Sequence, residues 1–313
     1  MAIKSSGQQL KFSEIEKEFG ENPGRSLGRY KSSHPDFKNE NPGELSNLPL
    51  DTGIPTGTND QIKFSQFYSK RLNIVVDCHS SGSSNHGHDA YKDRYKNDKY
   101  VVVGGYRSNL KENKWQGGKK VIIHINNTFG SGGASDKDDF ALTMGNGWPS
   151  QTTFSVDLGS SAVVAGRGGD GGSRPGKNGK NGSSALKLKS GQSYNAHANA
   201  IIVGGGGGGG GGADAEQNDC TLGFCDRNDA EGGGGGGGNG LPAGQGGGGN
   251  GGGSDGDLTS GGAGRAGEDD AEAEGGDGGN GGTGGDGEDA SGGTNKRGPN
   301  GSGGEGGSAV LYF

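Results

Sequence analysis

Nine consecutive glycines occupy residues 204–212. Such a run cannot be held by burying side chains, since it has none, and ordering it costs more backbone entropy than ordering any other residue type. A segment of this kind is either a flexible linker or part of a structure held through its backbone. Further glycine stretches lie near 166–182, 232–238, 244–253, 261–267, 275–287 and 298–307. In all, 76 of 313 residues are glycine, against a usual share of about 7%. Whatever folds the second half of this chain is not an ordinary hydrophobic core.

The spacing within the stretches narrows the choice. Glycines 176, 179 and 182 are three apart, as are 298, 301, 304 and 307, and residues 275–289 form five successive Gly-x-x triplets. Period three is that of the polyproline II helix, which rises about 3.1 Å per residue and has no internal hydrogen bonds. Collagen shares the period but needs long uninterrupted repeats rich in proline, and this chain has nine prolines. The spacing predicts a stack of short polyglycine II helices within one chain, bonded sideways by N–H and C=O groups with Cα–H···O contacts added. The all-glycine runs 204–212 and 232–238 suit the interior of such a stack. Residues 275–289 suit an outer layer, with Asp277, Asn280, Thr283 and Asp286 facing water. The apolar segment 309–313, Ala-Val-Leu-Tyr-Phe, argues against a linker, which has no use for a hydrophobic end; a strand returning to a folded domain does.

The first half reads differently. Leu72–Val76, Tyr100–Val103, Val121–Ile125, Phe140–Met144, Phe154–Leu158 and Ala162–Ala165 are β-branched or alternating runs between Gly, Asn, Ser and Lys, the pattern of short strands. Before them, Leu10-Lys11-Phe12-Ser13-Glu14-Ile15 resembles Ile62-Lys63-Phe64-Ser65-Gln66-Phe67, each with a serine expected to cap a short helix. The fold expected is a mostly β N-terminal part followed by a polyglycine stack, with little α-helix. Its divisions are a docking module at 1–71, a β domain at 72–165, and a glycine-rich sandwich with a return strand at 166–313.

Charge and cysteine set limits on function. Residues 1–200 carry 26 Lys+Arg and 19 Asp+Glu, whereas 201–313 carry 4 and 18. An acidic glycine half argues against nucleic acid, whose phosphates need Lys and Arg. No apolar run approaches the roughly 18 residues of a membrane span, so membrane insertion is not expected, and the N-terminal sequence lacks the apolar stretch of a signal peptide. Three cysteines make no disulfide framework. Cys220 and Cys225 are close enough to bridge one loop, or stand as two thiols.

Catalytic motifs fail on inspection. Residues 171–178 nearly spell a P-loop but end in Asn178 where Ser or Thr is needed. The triplets near Gly275 lack the recurring apolar residue of a calcium-binding β-roll. Asp77, Cys78, His79, His86, His88 and Asp89 are metal-ligand types, yet they read best as a polar loop. No enzymatic activity, metal or cofactor is expected.

The order of segments carries a resemblance. Residues 165–172, Ala-Gly-Arg-Gly-Gly-Asp-Gly-Gly, are followed by Ala185–Leu188, Ala200–Val203 and the nine glycines. This order, with the strands Val121–Ile125 and Phe154–Leu158 upstream, resembles the adhesin at the tip of the long tail fibre in T-even-like bacteriophages. Residues 1–71 resemble Phe-Ser-containing modules of marine phage virion proteins. The resemblance implies an N-terminal part that attaches to a trimeric tail-fibre protein. It also implies loops between glycine segments that touch a host surface protein or polysaccharide, and a place on the distal tail fibre of a virion, after synthesis in the host cytoplasm. The receptor-binding residues it nominates are Asp219, Cys220, Leu222, Phe224, Cys225, Asp226 and Arg227 in one loop, Asp269, Asp270 and Glu272 in a second, and Lys296 and Arg297 in a third. Adhesins of that family often have aromatic-rich loops; here the loops are acidic, with Phe224 the lone aromatic between Val203 and Val310. The competing reading is a structural fibre connector or decoration protein without receptor binding. A surface- or ice-binding protein would require flat, regular Thr-bearing faces.

Overall fold

A computed structural model describes residues 3–20, 26–31, 33–35, 53–78, 88–89, 101–103, 119–131, 140–145, 147–148, 150–173, 175–221, 224–248, 252–266, 269–270, 273–274, 296–297, 301–306 and 310–312. Helix among these residues is confined to the N-terminal module: α1 (Phe12–Phe19) and the 3-10 turns Leu27–Tyr30 and Phe64–Phe67. The repeated hexapeptide does start both the helix and the second turn, but not through its serines. The N-cap residues are Lys11 and Lys63. Glu14 and Gln66, three residues on, accept the Lys11 and Lys63 backbone N–H at 2.8 and 2.6 Å. The working half of the motif is thus the reach-back acceptor at the third helical position. Phe12, Phe19, Tyr30, Phe64 and Phe67 pack ring against ring at centroid distances of 5.6–6.3 Å, and the buried Tyr30 hydroxyl donates to the Gly20 carbonyl.

The strands form a three-sided coil, each turn giving one strand to each face. β1 (Ile74–Cys78), β2 (His88–Asp89) and β3 (Val101–Val103) begin it. The next turn is β4 (Lys120–Ile125), β5 (Thr128–Gly130) and β6 (Phe140–Thr143). A further turn follows as β7 (Thr153–Leu158), β8 (Val163–Ala165) and β9 (Ser184–Leu188). The last is β10 (Ser193–Ala196), β11 (Ile201–Val203) and, far along the chain, β17 (Val310–Tyr312). The faces run β10-β7-β4-β1-β3, β11-β8-β5 and β17-β9-β6-β2. Every pairing is parallel except β3 with β1. The in-register stacking puts Ile74, Val121 and Phe154 in one column, Val76, Ile123 and Val156 in the next, and Cys78, Ile125 and Leu158 in a third. These columns, with Phe129, Leu142, Val164, Leu186 and Leu188, share one buried core with Ile15, Phe19, Tyr30, Phe67 and Leu72 of the N-terminal module. The module is joined to the coil by a buried ion pair, Glu18–Lys119, and Glu18 also accepts the Leu72 N–H at 2.9 Å.

The glycine stretches leave the coil at one corner, twice. After β8 the chain runs straight on through 166–173 and returns through 177–183 into β9. After β11 it runs through 204–212 and returns, about a hundred residues later, through 301–306 towards β17. The strands at 184–203 and 310–312 therefore belong to the same faces as those at 120–165.

The runs lie side by side, joined by backbone hydrogen bonds every third residue. Gly166, Gly169 and Gly172 donate to Val203, Gly206 and Gly209. Gly205, Gly208 and Gly211 donate to Ser183, Lys180 and Lys177, while Gly206, Gly209 and Gly212 donate to Asn239, Gly236 and Gly233. Gly301 and Gly304 donate to Gly211 and Gly208. The run at 204–212 is thus enclosed by the runs at 166–173, 177–183, 233–239 and 301–304. The run at 233–239 is bonded in turn to those around 244–247, 254–257 and 262–265. Residues 205–213 and 232–238 are buried throughout. The triplets at 275–289, expected on the outside, lie outside the described residues.

One side chain ties three runs together. Asp170 accepts from Lys180 at 2.9 Å, from Arg167 at 3.2 Å and from the Gln245 N–H at 3.2 Å. Burial by itself would raise its pKa, but the Lys180 and Gln245 hydrogen bonds and the two cations outweigh it and hold the carboxyl below its ordinary 3.8. A depressed carboxylate contributes stability that is complete above the unfolded value and is lost as pH falls through the folded one. Asp170→Asn should therefore lower the melting temperature at neutral pH and weaken its acid dependence below about pH 4. Thermal melts from pH 7 to pH 2 measure both; parallel curves for parent and variant would remove Asp170 from this role.

Candidate functional site: the loops beyond the glycine runs

The lateral bonds assign each connection to one of two ends. The turn at 239–243 sits against the coil, where a side chain at Gly130 of β5 would meet the Leu241 carbonyl at 2.6 Å. The turn at 257–261 is beside it, because Gly240 donates to Asp257. There the Asp257 carboxylate accepts the Ser260 and Thr259 N–H groups, which hold its pKa below 3.8. The opposite end carries the turn at 173–177, the segment 213–231, the connection from 248 to 252, the segment 267–274 and the residues before Gly301. Of the acidic loops, 254–260 thus faces the coil, whereas 213–231 and 267–274 face away from it.

Segment 213–231 forms a hairpin of β12 (Ala215–Thr221) and β13 (Phe224–Ala230). Its base is fixed by the buried alanines Ala213, Ala215 and Ala230 and by the Asp214 carboxylate, which accepts the Gly232 N–H at 2.8 Å. The register sets Asn218 opposite Arg227, Asp219 opposite Asp226, Cys220 opposite Cys225 and Thr221 opposite Phe224. Leu222 lies in the two-residue link and is outside the described residues. β16 (Lys296–Arg297) adds a third strand at the base, with Arg297 opposite Ala215 and Lys296 opposite Glu216. A second, shorter hairpin packs beside both long strands, β14 (Asp269–Asp270) with β15 (Ala273–Glu274), Asp269 facing Glu274. Glu272 is outside the described residues. Three segments separated by up to 80 residues of sequence therefore meet at one end, with ten of the twelve nominated residues on paired strands there.

The charge of this cluster is one-sided. Segment 213–231 has six acidic residues and one basic, and 267–274 has five acidic and none basic. Only Lys296 and Arg297 balance them. Such a surface favours a partner carrying positive charge and repels polyanions.

The register also reveals a second feature. Asp77 of β1, His124 of β4, Asp157 of β7 and Asn195 of β10 are successive partners across one face. His124 Nδ1 is 2.8 Å from the Asp157 carboxylate, and both line a hollow with Ser160, Asn195 and His197. A signal was present: the strands read Ile-Val-Val-Asp-Cys, Val-Ile-Ile-His-Ile and Phe-Ser-Val-Asp-Leu, each polar one residue before its end. The metal-ligand types noted at 77–89 do not join this row as a group, since β1 and β2 lie on different faces and 79–87 are outside the described residues. No group of three His, Cys, Asp or Glu that could hold a metal occurs among the described residues.

Comparison with known proteins bears on both parts. Curated protein sequences give no significant match. Among solved structures, the gp37–gp38 adhesin tip complex of the bacteriophage S16 long tail fibre is similar at 19% identity over 100% of this chain and 96% of that one, with a TM-score of 0.42. A family model described as phage tail fibre adhesin Gp38 matches residues 91–312. That match runs from just before β3 to the end of β17 and takes in both glycine excursions and all three loop segments, so the chain belongs to the phage tail fibre adhesin family.

Proposed function

We propose that the protein sits at the tip of the fibre and grips the host through the loop cluster formed by β12–β13, β14–β15 and β16. The observation that carries this reading is the convergence of those segments at the end of the glycine runs facing away from the coil. In this reading the module at 1–71 and the β domain at 72–165 attach to the tail-fibre protein, while residues 166–308 form a polyglycine II sandwich that presents the loops. The hydrogen bonds at intervals of three residues support that helix type, because three residues make one polyproline II turn. A crystal structure giving φ near −75° and ψ near +145° along 204–212 would establish it.

The host contact is expected to centre on Phe224, beside the hairpin link, since aromatic anchors dominate binding interfaces. Phe224→Ala should weaken host adsorption about tenfold, or about 1.4 kcal/mol, with an unchanged melting temperature. Replacing Asp269, Asp270 and Glu272 should instead alter the salt dependence of the association rate. The test is competition of phage adsorption by purified protein at several ionic strengths. Phe224→Ala protein that competes as well as the parent would exclude the hairpin as the contact. A protein that binds fibre but never competes would favour a connector.

A further inference from the structure

We propose that Cys220 and Cys225 are a cross-strand disulfide site that closes once the protein has left the reducing cell interior and locks the β12–β13 hairpin. The hairpin's part in binding rests on the reading above; the bond itself does not. Sequence spacing alone leaves a bridge and two thiols equally open. The register decides between them. The two cysteines are direct partners in an antiparallel ladder, where facing Cα atoms are about 4.5–5.5 Å apart, inside the disulfide range of about 4.4–6.8 Å. The third cysteine, Cys78, is buried in β1, in the inner column of the coil, and offers neither of them a bridge.

The same ladder shows why a covalent tie matters here. Asp219 faces Asp226 next to the cysteine pair, and Glu216 faces Asp229 nearer the base. Like charges directly opposite destabilise a strand pair. The third strand, β16, pairs only with Ala215 and Glu216, so the outer part of the hairpin is a two-stranded ribbon, a structure of marginal stability in water. A staple between Asp219–Asp226 and the link holds the ribbon where its charges work against it and where Phe224 sits.

The chemistry is thiol–disulfide exchange with a low-molecular-weight disulfide. One cysteine, having lost its proton, attacks that disulfide and expels one small thiolate. The second then attacks the mixed disulfide and expels the other. Two protein S–H bonds and one small-molecule S–S bond become one protein S–S bond and two small-molecule S–H bonds. Cytosolic thiol buffers keep the pair reduced, so the lock is set only outside the cell.

The test uses the purified full chain, unfolded in an alkylating agent before and after reduction, following incubation with a small disulfide such as oxidised glutathione. Of three cysteines, one should label before reduction, at Cys78, and three after. Hydrogen exchange across 217–228 should be about tenfold slower in the oxidised protein. Three labels before reduction, a bond involving Cys78, or equal exchange in both states would each overturn the proposal. The Cys220→Ser/Cys225→Ser double variant should exchange like the reduced parent. If the bond forms and slows exchange while reduction leaves adsorption unchanged, the lock stands and the hairpin's role in binding falls.

Discussion

Gly208→Ala is expected to break the glycine body apart. A β-carbon at this position would lie 2.1 Å from the Asp170 carbonyl oxygen and 2.4 Å from its carbon. Both are backbone atoms, so no rotamer change relieves the contact. Gly208 also donates to Lys180 and accepts from Gly304, so moving its run disturbs two others. Overpacking a tight core costs about 1–3 kcal/mol, and with a rigid backbone on each side the cost here should reach at least about 3 kcal/mol. The matching control is Gly248→Ala, where nothing lies within 4 Å; it should be neutral or slightly stabilising, since alanine loses less entropy on folding. Thermal and denaturant unfolding of both variants provide the comparison. Equal stability of the two would mean the runs are not packed as described.

The second large effect is expected at the joint between module and coil. Glu18 and Lys119 form their ion pair with side chains 7% and 4% exposed. Removing one partner of a buried pair leaves an uncompensated charge and costs about 3–5 kcal/mol. Glu18→Ala also removes the acceptor for the Leu72 N–H, at the entry to β1. The variant should lose that much stability, and residues 3–70 should become more sensitive to protease than the coil. Glu18→Gln, which keeps an acceptor for Leu72, should fall between. A loss below about 1 kcal/mol, the level of an exposed pair, would show that the joint rests on its apolar contacts alone.

Much of this architecture was legible in the sequence, for identifiable reasons. All six strand segments expected between 72 and 165 contain strands, because β-branched runs between turn residues allow little else. The apolar segments Ala185–Leu188 and Ala200–Val203 stood out as landmarks, but not as further turns of the same coil. Their partners lie 38 to 46 residues away in sequence, and pairing at that distance leaves no local trace. Period three marked out the glycine runs. It did not say which turns share an end, and so gave no reason to separate 254–260 from 267–274. Lateral hydrogen bonds carry that information, and they belong to the packing. The receptor-facing nominations came from resemblance and from loop chemistry. Register then added what composition could not show: that Cys220 faces Cys225 and that acidic residues face one another beside them.

The return of β17 to β9 orders events in time. Val310 pairs with Leu186, and every glycine run beyond 204 and every loop between them is synthesised before that strand. Closing a loop of this length costs only a few kcal/mol of chain entropy, but non-local pairing is slow to form. Until it forms, the outer edge of β9 stays open, and an open strand edge is where chains aggregate. Ribosomes that stop early would release proteins with a complete loop cluster and an incomplete third face. Such chains expose a sticky edge that proteases and chaperones recognise, so the last strand acts as a proofreading step before a copy is mounted on a fibre.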